Sequence, residues 1–387
     1  MTLPTDVPLI ESPPGPVVTI DGRRYVYFSG TAYLCLQARS EVIAAIGLAA
    51  SRSGVHSATS RLRAGVSPAL REAEQEAAAF FGTETAILCA SGYLSPWMLL
   101  QAVQPRFDRL CLDRRAHASL RDAAACSRLP IEEVDVAGVG DDFVASIERS
   151  ATAGQRPLVL VDGVFSATGE LARLREIDGV LSKCRGAGLL VDDAHGLGCL
   201  GPQGRGALDE AGLWERVNRF DTDDARPSLF VCGTLSKALG GFGGVVPAGA
   251  SLAAVIVERS HVYRAAAALP APLAAASAVA LRIARNEPGL RHRLAANLAE
   301  LDTGLRSLGW PTEGGPAPVR ALRHPDGDRL ARIHAALRER GFFAPHVRGY
   351  GGAAEGGVLR IAVFAEHAPV HLQGLLQALG EIGRPGG

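Results

Sequence analysis

Five short apolar runs, most of them separated by helix-patterned segments and each closed by a turn rich in polar residues, constrain this chain more than any other feature. They cover residues 86–90, 109–113, 158–162, 189–193 and 228–232. Helical periodicity marks 70–80, 120–127 and 172–185. Strands that are apolar almost throughout are buried on both faces, which predicts a parallel sheet sandwiched between helices. A polar loop is expected over 218–227 and a glycine-rich connection over 240–249. After about residue 250 the pattern changes. Helices over 271–285 and 291–308 lead into a smaller α+β region, with a strand at 358–363 and a last helix over 368–382. The expected division is an N-terminal segment, 1–40, a large domain, 41–255, and linking helices with a small C-terminal domain, 256–387.

Length and charge narrow the class. The chain has 387 residues, room for two domains at roughly 100–200 residues each. Forty basic residues balance forty acidic ones, so composition offers no electrostatic footprint for nucleic acid or an anionic membrane. The seven cysteines never form a Cys-x-x-Cys pair and lie mostly in apolar runs, as reduced buried thiols do. The stretch 1–16 has no basic start followed by an apolar core, so no signal peptide is expected. The alanine-rich stretch 263–283 is broken by Arg264, Pro270, Pro272 and Arg282, which argues against a membrane span. A cytoplasmic protein is expected.

In open α/β sheets ligands bind where loops leave the carboxyl ends of the strands. Five candidate groups fall there. Ser91-Gly92-Tyr93 follows the first run and precedes a helix, so backbone N–H groups could receive a phosphate. His117 follows the second run, Ser166 the third, Asp192 and His195 close the fourth, and Thr234 to Lys237 follow the fifth. Each has a bland reading: a surface lysine, a helix-start histidine, a capping aspartate, a serine holding a turn. Five such coincidences together outweigh those readings. A lysine able to form an imine and an aspartate on a separate strand end are what pyridoxal phosphate chemistry requires. The lysine anchors the aldehyde, and the carboxylate keeps the pyridine nitrogen protonated so that the ring acts as an electron sink.

One tempting motif is set aside. Gly196-Leu197-Gly198-Cys199-Leu200-Gly201 matches the glycine pattern of dinucleotide sites, but Pro202-Gln203-Gly204-Arg205-Gly206 follows where a helix is required, so a loop is predicted. The cysteine and histidine spacings suggest no metal site.

Taken together, Asp192-Asp193-Ala194-His195-Gly196, Gly201-Pro202-Gln203-Gly204-Arg205-Gly206, Thr234-Leu235-Ser236-Lys237-Ala238 and Asp113-Arg114-Arg115-Ala116-His117-Ala118-Ser119 resemble the α-oxoamine synthase family. Asp162-Gly163-Val164-Phe165-Ser166 and Leu359-Arg360-Ile361 extend the match, which covers roughly residues 20 to 380. The resemblance implies a fold-type I aminotransferase-like α/β architecture and a homodimer. It also implies pyridoxal 5'-phosphate as cofactor and a decarboxylative condensation of an amino acid with an acyl thioester, on coenzyme A or an acyl-carrier protein. By the same resemblance Lys237 carries the imine and later moves the α-proton, Asp192 faces the pyridine nitrogen, His117 stacks on the ring and His195 lies near the phenolic oxygen. Thr234 and the backbone of Gly92 and Tyr93 hold the phosphate, Ser166 assists near the ring, and Arg360 forks onto the amino acid carboxylate.

The departures bear on substrate. Thr31 replaces an asparagine that in the family helps hold the substrate carboxylate, and Pro96 replaces an amide beside the cofactor. Leu70-Arg71-Glu72-Ala73-Glu74 stands for His-x-x-Leu-Glu, and Ala265-Ala266-Ala267-Ala268 lacks the hydroxyls that help the neighbouring subunit's phosphate site. Two other readings stay open on these grounds: a different pyridoxal phosphate reaction (transamination, racemisation, aldol cleavage or decarboxylation), and a non-catalytic partner subunit of a homologous enzyme.

Overall fold

A computed structural model describes residues 7–219, 226–312, 314–350, 353 and 356–383. Residues 1–6 of the N-terminal stretch, 220–225 of the expected polar loop and the last four residues lie outside the described residues. Among the described residues the strands run in chain order: β1 (Val17–Ile20), β2 (Arg23–Tyr27), β3 (Thr85–Cys89), β4 (Arg109–Asp113), β5 (Ile131–Val134), β6 (Pro157–Asp162) and β7 (Gly188–Asp192). They continue as β8 (Ser228–Thr234), β9 (Gly244–Ala248), β10 (Val319–Leu322), β11 (Phe342–Phe343), β12 (His346–Val347) and β13 (Val358–Ala362). The chain divides into two compact units. One is made of Arg39–Phe165 with Glu170–Glu287, the other of Met1–Ala38, Ser166–Gly169 and Pro288–Gly387.

The first unit is built on a seven-stranded sheet in the order β3-β9-β8-β7-β6-β4-β5. Strands β8, β7, β6, β4 and β5 are mutually parallel, as the continuous apolar runs predict. Every residue of β6 and β7 is buried, because helices cover both faces of the sheet. The sheet is mixed rather than wholly parallel: β9 runs antiparallel to both of its neighbours, β3 and β8. The expected glycine-rich connection over 240–249 therefore contains a buried strand, hidden in the sequence by Gly244 and Pro247. Pro247 has no N–H to donate, and the β8–β9 ladder stops at Gly233–Val245.

Asn218 fills the gap beyond that point. Its side-chain amide donates to the carbonyls of Val231 and Pro247, while its Oδ1 accepts the Val231 N–H at 3.0 Å. The residue is fully buried and sits at φ 54°, a left-handed conformation that asparagine tolerates better than most.

Local signals set the flanking helices. Ser67 caps Pro68–Phe81 by accepting the Leu70 N–H, with Pro68 in the first turn and Gly82 closing the helix in the left-handed region. Helix Ala271–Asn286 packs on Ser40–Ser53 and Pro68–Phe81 within this unit. Residues 194–206 form turns, with no helix before Ala207–Glu210, as the rejection of the dinucleotide motif requires. None of the described helices is long and apolar enough to cross a membrane.

The second unit joins the two ends of the chain. Its sheets are ordered β1-β2-β11 and β10-β13-β12, with helices Gly289–Ser307, Gly327–Glu339 and Pro369–Ile382. Strand β2 pairs in parallel with β11, and Ala362 N–H donates to the Phe28 carbonyl. A buried histidine reinforces this joint. His367 lies between Phe28 and Phe364, with ring centroids at 4.4 and 5.0 Å. Its Nδ1 accepts the Phe364 N–H and its Nε2 donates to the Tyr27 carbonyl. Both ring nitrogens are thus committed in the neutral form. Burial pushes the His367 pKa down to about 3, against the pull of the Tyr27 carbonyl.

Two outcomes are expected from these contacts. Because the folded-state pKa of His367 lies below its unfolded value, its contribution is complete above roughly pH 6.5 and declines as pH falls toward 3. Over that window it costs at most about 1.4 kcal/mol per pH unit. Urea midpoints measured from pH 7 to 4 should fall less steeply in His367→Gln than in the unmodified protein. Asn218→Ala leaves the Val231 N–H unpaired inside the sheet, and a loss of about 1–3 kcal/mol is expected in urea unfolding.

Candidate functional site

The carboxyl edge of the parallel strands gathers four polar residues, each the last of its strand: Asp113 on β4, Asp162 on β6, Asp192 on β7 and Thr234 on β8. These strands are neighbours in the sheet, so the four residues form a row, and Asp162 and Asp192 are direct register partners. The turn after β8 carries Lys237, whose Nζ lies 2.8 Å from Nε2 of His195 in the turn after β7. Asp192 is 4% and His195 8% exposed, so a cation, an imidazole and a carboxylate meet in a largely dehydrated edge.

Burial raises the pKa of Asp192, while the charge on Lys237 and the hydrogen bond from Ser119 pull it back down. Its oxygens accept from Ser119 Oγ at 3.0 Å and from the Ala194 N–H at 3.3 Å, both neutral donors. Asp162 is raised well above the usual carboxylate range, first by burial and then by the Asp192 charge. It accepts the backbone N–H of His117 at 2.8 Å. Asp113 and Asp193 tie loops to the edge instead, through the N–H groups of Arg115 and Ala137 and of Ala207. That last bond requires glycine at 206, at φ 106°, because a Cβ there would run into the Asp193 carboxylate.

His117 caps helix Ala118–Ala125, its Nδ1 accepting the Ser119 N–H. Burial lowers its pKa, so the ring is neutral at physiological pH. The Tyr93 ring stands edge-on to it at 6.2 Å, and the Tyr93 hydroxyl donates to Asp122.

Ser91, Gly92 and Tyr93 make the turn from β3 into helix Ser95–Val103. Gly92 packs so closely on Thr234 that a Cβ would come within 2.6 Å of its side chain. The start of a helix presents N–H groups and the positive end of the backbone dipole, a natural seat for a phosphate. Thr234 Oγ1 donates to the Gly243 carbonyl and accepts the Ser236 N–H, so it also holds the lysine turn. Pro96 lies in the first turn of its helix, where a missing N–H removes no intrahelical bond.

The second unit carries Arg360, Ser166 and Thr31. Arg360 stands on β13, 8% exposed. Its guanidinium donates to the carbonyls of Ser166 and Gly30 and to the Tyr33 hydroxyl, so its partners among the described residues are neutral oxygens. A buried cation held only by neutral groups is suited to an incoming anion. The Ser166 hydroxyl is buried without a hydrogen-bond partner among the described residues. Thr31 is half-buried, and its carbonyl accepts the Tyr33 N–H.

The first unit thus brings together Lys237, His195, Asp192, His117, Thr234, Gly92 and Tyr93. Sequence reasoning did not single out two neighbours of the candidate residues: Ser119, on Asp192 in the first unit, and Tyr33, on Arg360 in the second. The only sequence signal for Ser119 is its place two residues beyond His117.

The donor set fits pyridoxal phosphate. A primary amine, a buried carboxylate with neutral partners only, a neutral imidazole and a glycine-tight helix start are the groups this cofactor needs. Comparison with known proteins agrees. Residues 27–379 match the family model described as aminotransferase class I and II. The chain is 36% identical to 8-amino-7-oxononanoate synthase of Methylococcus capsulatus over 373 residues, 96% of this chain and 93% of that protein. The corresponding synthase of Pseudomonas putida is 34% identical over 374 residues, 97% and 92% of the two chains. Among solved structures, serine palmitoyltransferase of Sphingomonas wittichii superposes with a TM-score of 0.86 at 28% identity, covering 96% of this chain and 90% of that one. The chain belongs to the aminotransferase class I and II family, in the α-oxoamine synthase group of fold-type I pyridoxal phosphate enzymes.

Proposed function

We propose that this protein is a pyridoxal phosphate-dependent acyltransferase that joins an amino acid to an acyl thioester with loss of carbon dioxide, giving an α-amino ketone. The relatives named above support this reaction class. A carbon–carbon bond forms between the α-carbon of the amino acid and the acyl carbon, the thiol leaves, and the carboxylate departs as carbon dioxide. The bound cofactor supplies an electron sink for the α-carbon. The observation that carries the reading is the Lys237 amine, 2.8 Å from His195, on the same strand edge as buried Asp192.

The chain's own groups divide the work. Lys237 Nζ anchors the cofactor and takes the α-proton, with His195 beside it to orient the amine. Asp192 would face the pyridine nitrogen; burial raises its pKa, and the Lys237 charge and the Ser119 hydroxyl offset part of that rise. His117, neutral and capping its helix, offers its ring face for stacking. Gly92, Tyr93 and Thr234 would hold the phosphate, and Ser166 would assist with a buried hydroxyl that has no partner among the described residues. Arg360 takes the substrate carboxylate, a role its neutral hydrogen-bond partners support. Thr31 replaces an asparagine that in the family helps hold that carboxylate, so it would bear on substrate choice. The acyl donor is a coenzyme A or carrier-protein thioester.

The enzyme is a cytoplasmic homodimer in this reading. Exposed large apolar side chains are frequent between residues 43 and 66, where Ile43 is 51%, Leu48 54% and Val55 74% exposed. A second copy of the chain related by two-fold symmetry would take such side chains out of water.

Two measurements test the assignment. With cofactor in excess the protein should absorb in the visible, and Lys237→Ala should abolish that band and lower turnover by about 10²–10⁴-fold. A cofactor-saturated wild type without the band would overturn the reading. Arg360→Ala should raise the KM for the amino acid by about 10–100-fold and leave the visible band intact, read by carbon dioxide release that depends on the acyl thioester.

A further inference from the structure

Between His117 and Asp192 stands a buried hydroxyl, that of Ser119. Ser119 is 3% exposed. Its Oγ donates to Asp192 Oδ2 at 3.0 Å and lies 2.8 Å from His117 Nδ1. Its backbone N–H also donates to that ring nitrogen, at 3.1 Å. One residue therefore touches the two side chains assigned to the face and the nitrogen of the cofactor pyridine.

We propose that Ser119 is a positioning residue that couples the His117 ring to the Asp192 carboxylate, so that the two are presented to the cofactor as one rigid unit. This rests on the cofactor reading above. Ser119 sits in the first turn of helix Ala118–Ala125, and the cap itself is His117, so helix geometry fixes the distance from hydroxyl to ring. The helix start is held from a second direction, because the His117 N–H donates to Asp162 on the strand beside Asp192. The strap is thereby pinned to two neighbouring strand ends, and ring rotation would break the contact with Ser119. The hydroxyl has one proton for two acceptors. Nδ1 already accepts a backbone N–H, which keeps it bare and leaves the proton of the neutral ring on Nε2. The charged oxygen of Asp192 takes the stronger share of the hydroxyl proton. Without Ser119 Oγ, Asp192 keeps only the Ala194 N–H among these donors, and the His117 ring loses its contact with this hydroxyl.

The test uses the full-length enzyme saturated with pyridoxal phosphate and labelled with 15N-histidine, its His117 signals identified by their loss in His117→Gln. Wild type should show an unprotonated Nδ1 and a protonated Nε2. Ser119→Ala should move the Nδ1 shift and weaken cofactor binding by about 10-fold in equilibrium dialysis, the scale of one hydrogen bond to a buried charge. Ser119→Thr, which keeps the hydroxyl, should restore the shift and most of the affinity. The proposal fails if Ser119→Ala leaves shift and affinity unchanged, or if Ala and Thr variants lose both equally, as a packing role would give. Should Ser119→Ala not fold, a wild-type Nδ1 that carries the proton sinks it alone. Failure of the wild type to bind pyridoxal phosphate would count against the assigned function instead, since the nitrogen shifts report the contact in either case.

Discussion

Removing carboxylates from water along one edge of a sheet is costly, and the first unit is organised around meeting that cost. Asp113, Asp162, Asp192 and Asp193 are all buried where parallel strands end, and burial raises the pKa of each. An unpaired buried charge is untenable, so each carboxylate must find donors. Asp113 and Asp193 find them in loop backbone, and so fix the courses of the segments around 115–137 and 193–207. Asp162 finds the His117 N–H and so seats that histidine. Asp192 accepts from the Ser119 hydroxyl and the Ala194 amide, both neutral donors.

The same economy appears in the second unit with the sign reversed. Arg320 forks onto Asp302 at 2.6 and 2.8 Å and is a closed structural pair. Arg360, equally buried on the neighbouring strand, has neutral oxygens in place of a carboxylate. Two arginines of similar exposure are thus told apart by their partners. One is paired with a carboxylate within the fold, and the other is held by neutral oxygens.

Much of this was legible in the sequence because the parallel strands are buried on both faces. Their apolar runs located β4, β6, β7 and β8 to within two residues at either end, and hence the strand ends where Asp192, Thr234 and Lys237 stand. β9 was hidden because Gly244 and Pro247 read as loop, and its acceptance depends on Asn218, distant in sequence. β5, a sheet-edge strand with Glu132 and Glu133, lacks an apolar signature altogether. Ser119 was unreadable for a different reason. Its reach to Asp192 depends on the order in which strands sit side by side, which local pattern does not encode. The neutral surroundings of Arg360 depend likewise on Gly30 and Tyr33, over three hundred residues earlier in the chain.

The way the second unit is stitched together has a bearing on biosynthesis. β2 finds its parallel partner in β11, and Arg23 donates to the Glu339 carbonyl across 316 positions of sequence. During translation the first strands leave the ribosome long before the residues they pair with exist. The sheet of the first unit, nearly continuous in sequence, can form meanwhile. The β1–β2 ribbon must then wait, unpartnered on one edge, until β11 has been made, a long-range pairing that comes late in folding.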